Sequence, residues 1–268
     1  MPHWSGLPVW GKAEAEKLGF DLPLPIGLSA TYYGQEETFR MPELKLAAPG
    51  GPRVNAGGLV RVGDIKIAEN AEMARLEAWV LPFVNLYVLA GYVSGDADIN
   101  IEPAVFPPKG SPRFKLHLDY EGPTIGAGTT LAIGIKPFRG RSTIFFSLAD
   151  LNITDTFLDF RQVVTSLEPV TVVVLNVRGG LRDRILHTSS LGDIYMSVWG
   201  GVMWEHVQEV MKGSVSILDL NFQGKVLAVD EWNTIVGSGL EIGKHIGLMM
   251  DVGIGERRSL MVSATIRF

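Results

Sequence analysis

The chain has 268 residues, of which 46% are hydrophobic and 20% charged, with a formal net charge of −5 and a mean hydropathy of +0.19. That charge excludes the basic surface a nucleic-acid partner requires, and the absence of cysteine excludes disulfides and thiolate metal sites. No apolar run approaches the roughly 20 residues of a spanning helix, and the longest, such as Val170 to Leu175, have strand length.

Residues 1–23 do not alternate like a strand. Val9 to Leu18 (VWGKAEAEKL) predicts a short amphipathic helix, stopped by Gly19 and by Pro23 and Pro25, with Trp4 and Trp10 flanking it. It is expected as a cap on one barrel end or as a plug entering the lumen.

From residue 24 onward the pattern is period two. Leu24 to Thr38 sets Ile26, Leu28, Ala30 and Tyr32 against Gly27, Ser29, Thr31 and Tyr33. Residues 39–68, broken by Pro49-Gly50-Gly51-Pro52, read as a long loop. Glu69 to Leu81 and Leu86 to Ser94 read as strands around a turn at 82–85, and residues 95–112 as a second long loop. Phe114 to Lys136 is the clearest middle strand. Ile125, Ala127, Thr129, Leu131, Ile133 and Ile135 face one way, and a small, glycine-rich set from Thr124 to Lys136 faces the other.

Strands follow over Ser142 to Asn152, Gln162 to Arg178 and Asp193 to Val207, with 179–192 as a connection. Residues 208–230 read as a third loop or extended hairpin, followed by a strand from Glu231 to Ile242. His245 to Phe268 is a hairpin around Gly255-Glu256-Arg257-Arg258. Leu260, Val262, Ala264, Ile266 and Phe268 share one face of its last strand.

Each apolar face is aliphatic and each opposite face carries isolated charges. That is the polarity of a barrel in lipid. The expected inward charges are Arg75, Glu77, Lys136, Arg178, Glu205, Glu241, Asp251 and Arg267. Their mixed signs fit an ion-paired core that closes the lumen, or a narrow channel whose charges filter solutes. Tyr32, Tyr33, Trp79, Phe83, Trp204, Trp232 and Phe268 stand near strand ends, where interfacial girdles belong.

Three further motifs carry weaker chemistry. His187-Thr188-Ser189 places a base beside a nucleophile, but in an expected turn and with no third acid identifiable. Asp96, Asp98 and Asn100 resemble the opening of a calcium loop, but Ile101 and Pro107 replace its glycine and distal glutamate. Gly126-Ala127-Gly128 and Gly237-Ser238-Gly239 lack the strand–loop–helix setting of a phosphate site.

The terminal Phe268, with apolar residues at every second position before it, resembles the last strand of Gram-negative outer-membrane β-barrels. WGKAEAEKLGFDLPLP, AWVLPFVNLYVLAGYVSGD and YEGPTIGAGTTLAIG are similar to a family of uncharacterised proteobacterial outer-membrane proteins, some labelled hypothetical or virulence-associated. The resemblance covers most of the chain. It implies an outer-membrane location after removal of a leader peptide, lipid as the surrounding partner, and reading of the terminal strand by the barrel-assembly machinery. It implies no activity and no cofactor.

The expectation is therefore all-β: one antiparallel transmembrane β-barrel over residues 24–268, with a periplasmic helical segment over 1–23. About ten strands are expected, with eight and twelve as alternatives. Its function is a narrow channel for small solutes with a polar, partly plugged lumen. The alternatives are a surface protein binding an external partner through long loops and, third, a lipid-modifying enzyme. A soluble lipocalin-like carrier is the competitor outside the membrane.

Overall fold

The alternation that begins at Ile26 closes into a ring. The computed structural model describes residues 6–48, 50–56, 60–103, 114–138, 141–160, 168–215 and 220–268. Its strands are β1 (Ile26–Ala47), β2 (Val54–Asn55), β3 (Val60–Leu81), β4 (Val84–Pro103), β5 (Phe114–Ile135), β6 (Ile144–Thr156) and β7 (Asp159–Phe160). They continue with β8 (Val170–Thr188), β9 (Gly192–Val215), β10 (Leu220–Ala228), β11 (Trp232–Ile242), β12 (Ile246–Ile254) and β13 (Arg258–Arg267).

Around the barrel the order is β1, β3, β4, β5, β6, β8, β9, β11, β12, β13 and back to β1, ten strands, all antiparallel to their neighbours. The ring closes where Gly27 to Glu36 pair with Arg267 to Arg258. Closure leaves no free edge, which a lipid-exposed sheet requires. No helix among the described residues is long and apolar enough to cross a membrane.

The start of β1, the end of β13 and the turns at 82–83, 189–191 and 243–245 share one rim, here the terminal rim. The opposite rim is the distal one. The N-terminal helix α1 is shorter than expected, Lys12–Lys17. Its segment is tied to the terminal rim by the Val9 amide donating to the Val80 carbonyl (3.0 Å) and by Lys244 Nζ 2.6 Å from Asp21. Trp4 lies outside the described residues.

Several strands run far beyond their expected ends. β1 continues to Ala47, β3 already begins at Val60, and β4 runs on to Pro103, so most of the expected loop 39–68 and half of the expected loop 95–112 is strand. Register shifts between Arg40 and Glu43 and between Val62 and Ile65 explain why the alternation was hidden. The expected connection 179–192 is strand as far as Thr188, and β6 extends to Thr156. β9 and β10 form the hairpin that 208–230 left open. Pro49 and residues 57–59, 104–113, 161–167 and 216–219, parts of the expected loops and of the 162–178 strand, lie outside the described residues.

The strands differ in length, and the difference divides the barrel into two storeys. β12 and β13 have 9 and 10 residues, enough for one tilted crossing of a bilayer. β1, β3, β4, β5 and β9 have 20 to 24. Above the tip of the β12–β13 hairpin, β10 takes its place and pairs directly with β1, from Phe39↔Ala228 to Ala47↔Asn221. The seam carries through the break before β11. The Val229 amide donates to the Thr38 carbonyl (3.0 Å), and the Glu205 amide to the Glu231 carbonyl (2.9 Å).

The two storeys have opposite polarity. In the terminal half of β5, Ile125, Leu131, Ile133 and Ile135 are exposed on the outside, while Gly126, Gly128 and Thr130 face in. In its distal half, Lys115, His117 and Asp119 lie on the outer face, while Leu118 and Tyr120 are buried inside. β1 makes the same exchange, from Leu28 and Tyr32 outside to Glu36 and Arg40 outside with Phe39 buried within. The terminal storey has the surface of a transmembrane barrel. The distal storey has the polarity of a soluble one, and its buried cluster joins Phe39, Ile65, Val93, Leu118, Val170 and Val207 from six strands. Tyr32 and Tyr92, both exposed, mark the boundary on either side of Glu72 in the ladder.

Candidate functional site: the barrel interior

The interior has three levels. The distal level is an apolar chamber of about 430 Å³. Its walls are inward residues of the distal storey, among them Phe39, Ile65, Ile99, Leu118, Val172 and Val226. Its floor is polar. The Tyr33 hydroxyl donates to Gln35 Oε1 (3.0 Å), the Tyr120 hydroxyl donates to Glu69 Oε2 (2.9 Å), and Gln35 Nε2 donates to Glu69 Oε1 (3.5 Å). Tyr33, expected in an interfacial girdle, thus faces inward.

Beside the floor, Arg257 is wholly buried at the tip of the β12–β13 hairpin. Its Nη1 lies 2.5 Å from Glu205 Oε2 and 3.9 Å from Glu37 Oε2.

The middle level is a double cluster of charges. On one side Arg75 Nη2 is 3.0 Å from Glu77, and Arg267 Nη2 is 3.3 Å from the same carboxylate. The Arg75 guanidinium lies over the Tyr87 ring (3.5 Å to its centre), and the Tyr87 hydroxyl donates to Asp150 (2.8 Å). Thr130 donates to the other Asp150 oxygen (2.5 Å). On the opposite side Arg178 Nη2 is 2.8 Å from Asp251, which also accepts from the Trp199 indole (2.5 Å). Glu77, Arg178 and Asp251 are all buried, so each charge out of water has its partner.

Glycines make the room. A Cβ at Gly128 would overlap the Tyr87 phenol, and one at Gly237 would overlap Asp251 and the Trp199 ring. The inward Gly-rich faces of β5 and β11 are therefore the space into which larger polar residues of neighbouring strands fold.

The third level is the terminal mouth, a polar pocket of about 330 Å³ lined in part by Lys136, Arg141, Arg182, Asp193 and Tyr195. Arg182 makes a two-pronged contact to Glu241 (3.0 and 2.8 Å) and lies over the Tyr195 ring (3.7 Å). Lys136 stands just past the end of β5, its ammonium against the Gly19 carbonyl and 5.7 Å from the centre of the Phe20 ring.

The eight expected inward charges thus separate. Arg75, Glu77 and Arg267 meet; Arg178 and Asp251 meet; Glu241 pairs lower down; Lys136 tethers the N-terminal segment at the rim; and Glu205 sits at the chamber floor. Their partners Asp150, Tyr87, Arg182 and Arg257 were missed. Asp150, Tyr87 and Arg182 carry the right strand parity, so the alternation could have supplied them. Arg257 stands in what the sequence shows as a charged turn, and it is buried against Glu205 of β9, Glu37 of β1 and the Glu231 carbonyl.

Of the terminal-strand set, Leu260, Val262, Ile266 and Phe268 are exposed large apolar residues on the outer face, and Ala264 shares their face.

The weaker motifs fall elsewhere. His187 pairs with Asp193 (2.5 Å), and Ser189 stands in the exposed turn after β8. Asp96 to Asn100 is strand rather than loop, and Asp98 is held by Lys115 (2.7 Å) and His117 (2.9 Å).

No family model matches the sequence, and no curated protein matches it either. Solved structures with a similar chain path are outer-membrane proteins. The outer membrane protein OprG of Pseudomonas aeruginosa aligns over 92% of this chain and 98% of its own, at 10% identity and a TM-score of 0.40. The translocator domain of the Neisseria meningitidis autotransporter NalP aligns over 95% and 92%, at 14% identity and 0.41. The β-domain of the Bordetella autotransporter BrkA aligns over 91% and 100%, at 12% identity and 0.42. Similarity at this level says nothing of what this chain does, which its own residues have to supply.

Proposed function

We propose that the protein is a narrow outer-membrane channel for small solutes. The observation that carries the reading is the layout of the interior. A cavity stands at each end of the barrel, about 430 Å³ distally and 330 Å³ at the terminal mouth. Between them lie paired side chains of the strands, the clusters around Arg75–Glu77 and Arg178–Asp251. Side chains in ion pairs can change partners, so the constriction is a filter that plugs part of the lumen.

In this reading the distal rim faces the outside and the terminal rim the periplasm, with the N-terminal segment on the periplasmic mouth. Lipid covers the apolar outer band. The face of Leu260, Val262, Ala264, Ile266 and Phe268 is offered to the assembly machinery during insertion.

The test is conductance of refolded protein in a planar bilayer across a range of salt. Discrete, reproducible steps are expected, small in size. Stable insertion without steps overturns the reading.

A further inference from the structure

We infer that the distal chamber is a binding site for one small, uncharged, mainly apolar molecule carrying a single polar group. The inference rests on the channel reading, which gives such a molecule its way on, and names the class of solute.

Most of the chamber's wall belongs to the storey whose outer surface is charged, with Arg40, Lys66 and His117 exposed. Its apolar interior therefore has nothing to do with crossing lipid. Strands that needed only a core would pack it shut at normal interior density. These instead surround about 430 Å³, within the usual range of small-molecule sites.

Phe39, Ile65, Val93, Leu118, Val170 and Val207 offer dispersion contacts and no counter-charge. A charged or many-hydroxyl solute would lose its hydration there without replacement. Toward the floor, the linked Tyr33, Gln35, Glu69 and Tyr120, with Asn152, Asn176 and Glu205, present acceptor oxygens, while on the wall the Thr156 hydroxyl donates to that of Thr124 (3.0 Å). A molecule with one hydroxyl can therefore bury its body against the walls and donate at the floor. This is the arrangement of a site that orients its ligand by one polar end.

The chain's lack of cysteine makes the test direct. Ala97→Cys places a thiol on the chamber wall and Lys66→Cys one on the outer face of the same storey. Each variant is refolded into lipid vesicles, checked for heat-modifiable gel migration, and labelled with N-ethylmaleimide. 1-Naphthol should slow labelling severalfold at Ala97→Cys and leave Lys66→Cys unchanged. 1-Naphthalenesulfonate, the same skeleton with a charge, should protect neither.

A second readout is free of thiol access. Intermolecular NOEs from 1-naphthol to the Ile65 and Ile99 methyl groups of the unaltered protein are expected. Absence of those NOEs overturns the inference, and so does equal protection by the sulfonate or equal slowing at both thiols. Binding without conductance steps would leave the chamber and remove the channel. Steps without binding would do the reverse.

Discussion

Arg257 Nη1 lies 2.5 Å from Glu205 Oε2, and both side chains are buried. The pair fastens the tip of the short β12–β13 hairpin beneath the seam where β10 meets β1. Glu37 stands 3.9 Å from the same guanidinium nitrogen, and its buried oxygens accept no hydrogen bond. Removing the arginine leaves two carboxylates facing each other without a cation. Arg257→Met should therefore cost about 3–5 kcal/mol, the usual penalty for breaking a buried pair. Urea unfolding in lipid vesicles, followed by tryptophan fluorescence, measures it. A loss below about 0.5 kcal/mol, the size of an ordinary surface change, would show that the hairpin tip is held by its backbone alone.

The constriction should widen when Asp251 loses its charge. Asp251→Asn weakens the hold on Arg178 and on the Trp199 indole together. Gly237→Ala should act in the opposite direction without altering any charge, because its methyl takes the space that Asp251 and Trp199 occupy and drives both further into the lumen. Asp251→Asn is expected to raise the conductance step severalfold over the unaltered protein and Gly237→Ala to lower it. If Gly237→Ala leaves the step unchanged, electrostatics and not side-chain position sets the barrier.

The barrel was legible from Ile26 onward because alternation is a local signal and each strand carries it. The charged middle level was half legible. Parity put Arg75, Glu77, Arg178 and Asp251 inside, but no rule of parity pairs Arg178 with Asp251 across 73 positions of sequence. The distal chamber was not legible at all. Phe39, Met41, Leu44 and Leu46 all line it, yet a register shift between Arg40 and Glu43 breaks their period. On β5 no such break exists, and there the difficulty is physical. The same parity that exposes an aliphatic side chain at Ile133 exposes a polar one at His117. A single polarity assigned to a whole strand is then wrong over half its length. The apolar outer face of a membrane barrel and the polar outer face of a soluble one, set against each other as rivals, each hold over one storey.

On the outer face of the distal storey, Asp98 joins Lys115 (2.7 Å) and His117 (2.9 Å). The hydrogen bond to Asp98, helped by the charge of Asp119, holds the His117 imidazole above its usual range. Asp98 is held below the usual carboxylate range, first by Lys115 and then by His117. The stabilisation from His117 is full below about pH 6.5 and fades as pH rises through its raised value; that from Asp98 is full above about pH 3.9 and fades as pH falls through its lowered one. The cluster is thus most favourable between about pH 4 and 6.5. NMR titration of the His117 ring should give a pKa above the ordinary histidine value, and Asp98→Asn should lower it. An unshifted His117 in the unaltered protein would mean that the cluster does not persist in water.

The height at which lipid ends can be located on β4 alone. Val88 and Asn100 lie on the same outer face of that strand, and both are exposed. Val88 sits in the apolar band, between Leu86 and Ala90, and below Tyr92. Asn100 lies above Tyr92, beyond Asp96 and Asp98. An arginine on the lipid face near the bilayer midplane costs about 2–4 kcal/mol, falling toward zero at the interface. Val88→Arg should fall in that range, and Asn100→Arg within about 0.5 kcal/mol of the unaltered protein. The two are compared by unfolding in vesicles of one lipid, so that bilayer thickness is fixed. Equal, large penalties at both positions would place the distal storey inside the membrane and take away the aqueous setting of the chamber. Equal, small penalties would remove the lipid from the terminal storey and leave the apolar outer band to be covered by protein.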